Sequence, residues 1–152
     1  CDMTYESKRV PPYISETCAN CICEAASGCD INAGCNGDVC GPLRITWGYW
    51  SDAGKPTVDD EPENTNDAFI RCANDLVCAK KALRGYMSRY AKDCNGNGEI
   101  NCDDYVRIHR YGPWGCSQPL QPSYDKAYKR CMMGQIIVLR SKSRYLILFE
   151  SS

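Results

Sequence analysis

The chain has very little histidine and no long apolar run. It holds one His in 152 residues, and no stretch approaches the ~20 apolar residues that a membrane-spanning helix needs. Its last apolar runs, 135–139 and 145–149, are short and separated by basic residues, so we expect two strands or a docked tail there. Acidic and basic residues almost balance, at a net charge of −1. The sequence therefore lacks the basic surface that nucleic-acid binding requires, and the balance argues against charge-driven disruption of anionic membranes.

Cysteine, in contrast, is in excess, with thirteen copies. This usage is typical of domains that fold in an oxidising compartment and are stabilised by disulfides. The alternative is a zinc protein, but the Cys-x-x-Cys pair Cys18–Cys21 has no second such pair, and only His109 could complete a Cys/His site. We therefore expect disulfides and a secreted protein. The chain begins at Cys1 without a recognisable signal peptide, so we expect that a leader was removed or omitted.

Capping residues and apolar spacing predict an α+β, mostly helical domain with a small β-hairpin. Ser15 can cap a helix that runs to about Ser27, with Gly28 as its left-handed stop. Alternation over residues 43–47 predicts a strand of the hairpin. An apolar stripe at helical spacing predicts the core face of a later helix; its members are Leu76, Leu83, Met87 and Tyr90. Other helices are predicted to begin at Asn66 or Asp67, at Asp103 or Asp104, and at Ser123, the last two ending before Gly112 and Gly134.

Several motifs follow one another in an order that points to one family. They are Cys-x-x-Cys-Ile-Cys with Ser-Gly-Cys over 18–29, Cys-Gly-Pro-Leu-Arg-Ile-Thr over 40–46 with Tyr-Trp-Ser-Asp-Ala-Gly over 49–54, Tyr-Met-Ser-Arg-Tyr over 86–90, and His-Arg-Tyr-Gly-Pro-Trp-Gly-Cys over 109–116. Together they resemble the invertebrate-type lysozymes, the destabilase-like family. The resemblance implies an extended N-terminal segment over 1–17, a lysozyme-like, disulfide-rich domain over 18–131 and a C-terminal tail over 132–152.

The resemblance also implies how the cysteines pair, which spacing alone cannot give. The implied disulfides are Cys18–Cys102, Cys21–Cys131, Cys23–Cys29, Cys35–Cys40, Cys72–Cys78 and Cys94–Cys116. Cys1 is left over, as a free thiol, an intermolecular bridge or an artefact of where the chain starts.

A carboxylate is missing where the family carries its general acid. A glutamate normally stands directly before Ser-Gly-Cys, and this position is Ala26. Glycoside hydrolysis needs two carboxyl groups, and the spacing of the family's second one falls on Asp38. Asp38 is equally compatible with a turn aspartate in an Asn-Gly-Asp loop. Glu24 lies two residues before Ala26, which is ~200° around a helix, so we expect it to face away.

The aromatic residues of the matching motifs are candidates to hold a sugar. The resemblance places substrate contacts at Tyr49, Trp50, His109, Tyr111 and Trp114, although the alternative is that most of them are core aromatics. The Ala26 variant resembles the insect branch of the family, in which the glutamate is often absent. We therefore expect a secreted protein that binds peptidoglycan or a chitin-like glycan with its muramidase activity lost or weak. The alternatives are an active lysozyme that uses another carboxylate, or a host-interaction protein with a protein partner and no sugar.

A second motif is independent of the lysozyme resemblance. Residues 93–104 match the twelve-residue calcium loop, with Gly98 at the sharp turn. The expected oxygen ligands are Asp93, Asn95, Asn97, the Glu99 carbonyl and Asp104. Calcium prefers six or more oxygens around one point, which this spacing can supply. The alternative is a Gly/Asn loop held by cysteines 94 and 102. We expect no catalytic cofactor and a structural calcium ion.

Overall fold

The computed structural model describes residues 14–59, 61–62 and 64–134, and predictions for residues 1–13 and 135–152 lie outside them. The elements, in chain order, are α1 (Glu16–Ser27), β1 (Cys35–Asn36), β2 (Val39–Cys40), α2 (Trp47–Asp52), α3 (Asn66–Asn74), α4 (Leu76–Tyr90), α5 (Cys102–Tyr111) and α6 (122–134). The two strands form one antiparallel hairpin. This mostly helical, disulfide-rich architecture with a small hairpin confirms the predicted fold class. Within the described ranges no helix is long and apolar enough to cross a membrane.

Helix α1 begins and ends where its capping residues predict. The Cys18 backbone N–H donates to Ser15 Oγ at 3.0 Å, which satisfies one of the free donors at the helix start. Gly28 ends the helix with φ 71°, in the left-handed region that glycine adopts without a Cβ clash. The inner face of α1 is fully covered, and its buried residues are Cys18, Ala19, Cys21, Ile22 and Cys23.

Helix α4 forms the centre of the core. It packs against α2, α3 and α5, and Leu83 and Met87 are completely buried. Leu76 and Tyr90 pack at the edges of the same cluster. The apolar stripe predicted from the sequence is therefore core, and it holds α5 in place beside the candidate site.

Six disulfides cross-link the described residues. They join Cys18 to Cys102, Cys21 to Cys131, Cys23 to Cys29, Cys35 to Cys40, Cys72 to Cys78 and Cys94 to Cys116. These are the pairs that the family resemblance implies. Three of the six involve a cysteine of α1, so this helix is covalently tied to α5, to α6 and to the loop that follows it.

The predicted strand over residues 43–47 is wrong. The hairpin lies earlier, at residues 35–40, and only Ile45 forms an isolated bridge with Cys40. Thr46 instead caps α2, because its side chain accepts from the Tyr49 backbone N–H at 3.3 Å. A helix places Trp47 and Trp50 on one face, with ring centroids 5.0 Å apart and both packed on Phe69. Burial of this aromatic cluster outweighs the strand-like alternation.

Three helix starts differ from the prediction by one or a few residues. Thr65 rather than Asn66 or Asp67 caps α3, and Asn101 rather than Asp103 or Asp104 caps α5. Helix α6 begins at residue 122, one position before Ser123, and continues through Gly134. In each case the helix exists as expected, and only its boundary was misplaced.

Gly41 lies where the hairpin presses on α3. A Cβ at this position would stand 1.7 Å from the Ala73 carbonyl oxygen, and the backbone has φ 77°. Only glycine satisfies both conditions. The segment that follows, Pro42 to Arg44, forms a wall of the candidate site described below, so this contact also fixes the position of that wall.

We predict that Gly41→Ala destabilises the protein far more than Gly37→Ala. Gly37 also has positive φ, at 64°, but no atom lies within 4 Å of its Cβ position. Gly37→Ala therefore carries only the conformational cost of ~1–2 kcal/mol. Gly41→Ala adds a backbone clash worth roughly another 1–3 kcal/mol. Urea unfolding with the disulfides intact measures the difference, and equal losses for the two variants would contradict the close contact.

Candidate functional site

A cavity of about 290 Å³ opens beside the C-terminal part of α1. Its walls come from α1, from the hairpin and the segment after it, from α5 and from α6. The lining residues are Ala26, Val39, Leu43, Arg44, His109, Arg110 and Tyr124. Within the described part of the chain, no aspartate or glutamate lines it. The described lining therefore combines apolar residues with two arginines and no acid.

The end of α1 is fixed to the opposite wall by a side-chain bond. Ser27 Oγ donates to the Pro42 carbonyl at 2.6 Å and accepts from the Asp30 backbone N–H at 3.0 Å. Because Ser27 follows Ala26 directly, these bonds hold the alanine methyl at the rim. The position where the sequence resemblance expects a general acid thus offers only a methyl group.

The only histidine has both ring nitrogens engaged. His109 Nε2 lies 2.8 Å from the Leu43 carbonyl, which can only accept, so Nε2 carries the proton. Nδ1 therefore accepts from the Tyr49 hydroxyl, 2.8 Å away. The Tyr49 ring in turn stacks on Tyr86, with centroids 3.9 Å apart. His109 thus joins the cavity wall to the core, and its ring has no nitrogen left for a substrate.

Burial lowers the pKa of His109 to about 4, and the nearby Arg110 charge adds to this effect. The hydrogen bond to Leu43 works in the opposite direction but is weaker. Burial also raises the pKa of the Tyr49 hydroxyl well above its usual value. At neutral pH both groups are therefore uncharged, and this hydrogen-bonded pair cannot readily take up or release a proton.

Arg44, which lines the cavity, braces the hairpin. Its Nη1 donates to the carbonyls of Gly34 and Gly41, each at 3.0 Å. Its Nη2 donates to Asn36 Oδ1 at 2.7 Å and to the Val39 carbonyl at 2.9 Å. The backbone of Arg44 has a positive φ of 52°, an uncommon conformation for a residue with a side chain. These four bonds hold the strained turn and leave the positive charge at the cavity wall.

Arg110 is more exposed and lies on the α5 side. Its Nη2 donates to Gln121 Oε1 at 2.9 Å. The guanidinium also lies over two tyrosine rings, 5.4 Å from the Tyr124 centroid and 5.8 Å from the Tyr111 centroid, within the range of cation–π attraction. Burial raises the pKa of Tyr124 to about 12, so its hydroxyl remains protonated and neutral.

The two carboxylates considered as replacements for the missing acid lie outside this cavity. Glu24 is exposed on α1, in agreement with the expected rotation around the helix. Asp38 is exposed in the turn between β1 and β2, and only its neighbour Val39 lines the cavity. The turn interpretation therefore describes where Asp38 lies, and its catalytic role stays a prediction.

The predicted aromatic contacts divide into three groups. Trp50 is 0% exposed and its Nε1 donates to the Pro56 carbonyl at 2.8 Å, so its predicted contact with substrate is wrong and it belongs to the core. Tyr49 and Tyr111 are half-buried, and the Tyr111 hydroxyl donates to the Pro119 carbonyl. Trp114 is 89% exposed, with Lys92 Nζ 5.9 Å from its ring centroid, and it does not line the cavity.

The sequence did not predict five of the lining residues, namely Val39, Leu43, Arg44, Arg110 and Tyr124. Leu43, Arg44 and Arg110 stand inside the family motifs, at the fourth and fifth positions of the 40–46 segment and directly after His109. Tyr124 had no signal, because its place on α6 beside the cavity depends on the Cys21–Cys131 disulfide.

The predicted calcium loop is built around Asp93. Its two carboxylate oxygens accept from the backbone N–H groups of Gly96, Asn97 and Gly98, at 2.8 to 3.3 Å. The Asn97 N–H also reaches Asn95 Oδ1, and the Glu99 N–H reaches Asn97 Oδ1. Asp104 is fully buried, with its oxygens accepting from Cys94 N–H at 2.8 Å and Asn101 N–H at 3.0 Å.

Asp104 lies at the third position of α5, where it completes the capping box with Asn101 and anchors the loop. Because its carboxylate is buried and already bonded, it is a poorer candidate to close the ion site than the sequence suggested. No cluster of three or more His, Cys, Asp or Glu side chains suited to a metal occurs in the described residues. The predicted ligand set, which relies on amides and a carbonyl, is of a different kind, and calcium binding stays a prediction.

Comparison with known proteins identifies the family. The Destabilase family model matches residues 15–131, which include all twelve cysteines of the six disulfides. The chain therefore belongs to the destabilase family of lysozyme-like proteins.

The relatives and structural neighbours are lysozymes. The chain is 40% identical to invertebrate-type lysozyme 3 of Caenorhabditis elegans, over 78% of this chain and 87% of that protein. It is 41% identical to a lysozyme of Magallana gigas, over 70% of this chain and 72% of that protein. Among solved structures, the Meretrix lusoria lysozyme in complex with Aeromonas hydrophila PliI matches with a TM-score of 0.61 and 31% identity, covering 77% of this chain and 89% of that one.

We predict that stability falls as His109 is forced to take up a proton. The unfolded chain binds this proton near the ordinary pKa of 6.5, whereas the folded state resists it until about pH 4. The unfolding free energy should therefore decrease by about 2 kcal/mol between about pH 6.5 and pH 5, at ~1.4 kcal/mol per unit. Above about pH 7 the contribution is fully present and constant.

Urea unfolding at a series of pH values tests this dependence, with His109→Gln as the variant that cannot titrate. The variant should lose stability at neutral pH and show a flatter profile between about pH 5 and 6.5. Because the chain has one histidine, its imidazole resonances can be followed by NMR without assignment. Titration of the folded protein with a midpoint near 6.5 would show that the ring is not held neutral.

Proposed function

We propose that this chain binds peptidoglycan or a related glycan in the cavity beside Ala26, and that its muramidase activity is lost or weak. Membership of the destabilase family and the lysozyme relatives support a lysozyme-like protein that acts on glycans. The observation that carries the proposed loss of activity is the cavity lining, which has alanine at the expected general-acid position and, among the residues that the structure describes, no carboxylate. Assignment to an insect-like branch without the glutamate rests on the same alanine.

No other described group in the cavity is suited to replace the acid. Glycoside cleavage requires a proton for the leaving oxygen and a second carboxyl group as nucleophile or base. His109 is neutral at physiological pH and its only N–H is bound to the Leu43 carbonyl. Tyr124, with a pKa raised to about 12, is a poor acid, and guanidinium groups do not release protons. Loss of a general acid alone typically costs ~10²–10⁴ in rate.

The two alternatives make different demands on the molecule. An active lysozyme that uses Glu24 or Asp38 would have to bind its substrate on exposed surface outside the cavity. A host-interaction protein without sugar would use a surface such as exposed Trp114 beside Lys92. A cell-wall turbidity assay separates the first alternative from the proposal, and a glycan pull-down separates the second.

We predict that the native protein clears cell-wall suspensions at close to the background rate and that Ala26→Glu raises this rate. The added carboxyl group would lie in the same cavity as Arg44 and Arg110, which favour its ionised form. The gain should therefore be largest at acidic pH, where the group still carries its proton. Ala26→Gln is the matched control, since it adds the same volume and hydrogen-bonding capacity without an acid.

Two results would count against this interpretation. Robust clearing by the native protein that survives Asp38→Asn would require a different pair of carboxylates. Equal rates for Ala26→Glu and Ala26→Gln, with both variants folded and still retained by cell walls, would mean that the alanine is not what limits hydrolysis.

We also propose that the loop over residues 93–104 takes up calcium weakly, as a structural ion. The support is the arrangement of backbone N–H groups around Asp93, which keeps that carboxylate and the Asn95 and Asn97 amides on one short, exposed loop. With one half-buried acidic ligand, Asp93, and amides for the rest, we expect an affinity in the extracellular range of ~10⁻⁴–10⁻³ M.

Calcium at millimolar concentration should raise the melting temperature relative to a chelator, because binding to the folded state alone stabilises it. Asp93→Ala should abolish this response, whereas Asp67→Ala, which removes an exposed acid on α3, should retain it. If all three proteins respond alike, the disulfide-held loop needs no ion.

A further inference from the structure

We propose that the cavity beside Ala26 selects glycans that carry a carboxylate, and that the positive charges of Arg110 and Arg44 attract this group. The inference rests on the proposed glycan-binding function and deepens it by naming the ligand's charge. Two guanidinium groups line a cavity of about 290 Å³ to which the described residues contribute no acid. Neither arginine forms an ion pair with a described carboxylate; the ion pairs present involve other basic residues.

The two arginines have different tasks. The Arg44 guanidinium donates four hydrogen bonds, to Gly34, Asn36, Val39 and Gly41. Its acceptors are carbonyl and amide oxygens, which orient the group without neutralising it. Arg44 therefore supplies a fixed positive charge, held rigidly at the wall, rather than new hydrogen bonds to a ligand.

Arg110 supplies the hydrogen bonds. A guanidinium has five N–H donors, and within the described residues only the bond to Gln121 uses one of them. Its position over the Tyr111 and Tyr124 rings restricts the plane of the group. A planar fork held in this way matches the two oxygens of a carboxylate.

The positive charge is local, because the whole chain has a net charge of −1. It is also felt inside the cavity, since Arg110 contributes to the lowered pKa of His109 and opposes the raised pKa of Tyr124. The rest of the lining is uncharged, and its accessible apolar surface comes from Ala26 and Val39, because Leu43 is completely buried. A sugar ring could lie on this surface with its acidic substituent toward Arg110.

Two glycan chemistries carry such a carboxylate, namely the free lactyl ether group of muramic acid and the ring carboxylate of a uronic acid. Calorimetric titration can compare five probes of equal length. They are a neutral N-acetylglucosamine tetramer, a tetramer alternating with N-acetylmuramic acid, a tetramer alternating with glucuronate, and the methyl ester of each acidic tetramer as its uncharged match. The two acidic probes show which source of carboxylate the cavity prefers.

At low ionic strength the native protein should bind at least one acidic probe about tenfold more tightly than its methyl ester, and added salt should reduce this ratio. Arg110→Gln should bring the ratio close to one. Arg110→Lys, which keeps the charge but not the fork, should retain part of it. Arg107→Gln removes the same charge from the same helix outside the cavity lining, and it should leave the ratio unchanged.

The outcomes separate this inference from the function on which it rests. Binding of acid and ester with equal affinity would overturn the charge selection while leaving glycan binding intact. Failure to bind any probe, neutral or acidic, would overturn both. A preference that Arg107→Gln removes as fully as Arg110→Gln would show that net charge, and not this cavity, is responsible.

Discussion

The cavity depends on a covalent constraint that centres on helix α1. Cys18–Cys102 ties α1 to the start of α5, and Cys21–Cys131 ties it to α6, so the walls on both sides are cross-linked to the helix that carries Ala26. Their sequence separations are 84 and 110 residues. In the loop-entropy model each bridge stabilises by about 4–5 kcal/mol, against about 2 for the separations of 5 and 6 at the short bridges. These bridges therefore hold the walls of the cavity whatever side chain stands at position 26.

Within this frame, the charge of the cavity and the absence of the acid are mutually consistent. A general acid must hold its proton at working pH, and enzymes achieve this by placing the carboxyl in apolar surroundings. Arg44 and Arg110 have the opposite effect, because a nearby cation favours the ionised carboxylate. A glutamate at position 26 would have to work against both. The same two cations suit a site that holds an anion and does not protonate its ligand.

The sequence predicted those features that depend on local chemistry. Ser15 and Gly28 fixed the ends of α1 through one cap and one left-handed residue, and the stripe through Leu83 and Met87 marked the core face of α4.

Prediction from the sequence failed where the structure depends on contacts between residues that are far apart in the chain. Residues 43–47 alternate like a strand, but Trp47 and Trp50 gain more by joining Phe69 on a helix face. Trp50 was likewise assigned to the sugar because a motif shows residue types and not burial. Tyr124 reaches the cavity through a disulfide with a sequence separation of 110, which local patterns do not reveal.

His109 shows why a motif residue beside a cavity need not be a catalyst. Its Nε2 proton is committed to the Leu43 carbonyl and its Nδ1 lone pair to the Tyr49 hydroxyl. Through these bonds the ring fastens the segment after the hairpin to α5 and, by way of the stacked tyrosines 49 and 86, to the core. Protonation would replace the acceptor that Tyr49 needs with a second donor, so the shape of the wall depends on a neutral ring. The histidine thus maintains the geometry of the cavity, and among the described lining residues Ala26, Val39 and Arg110 remain available to a ligand.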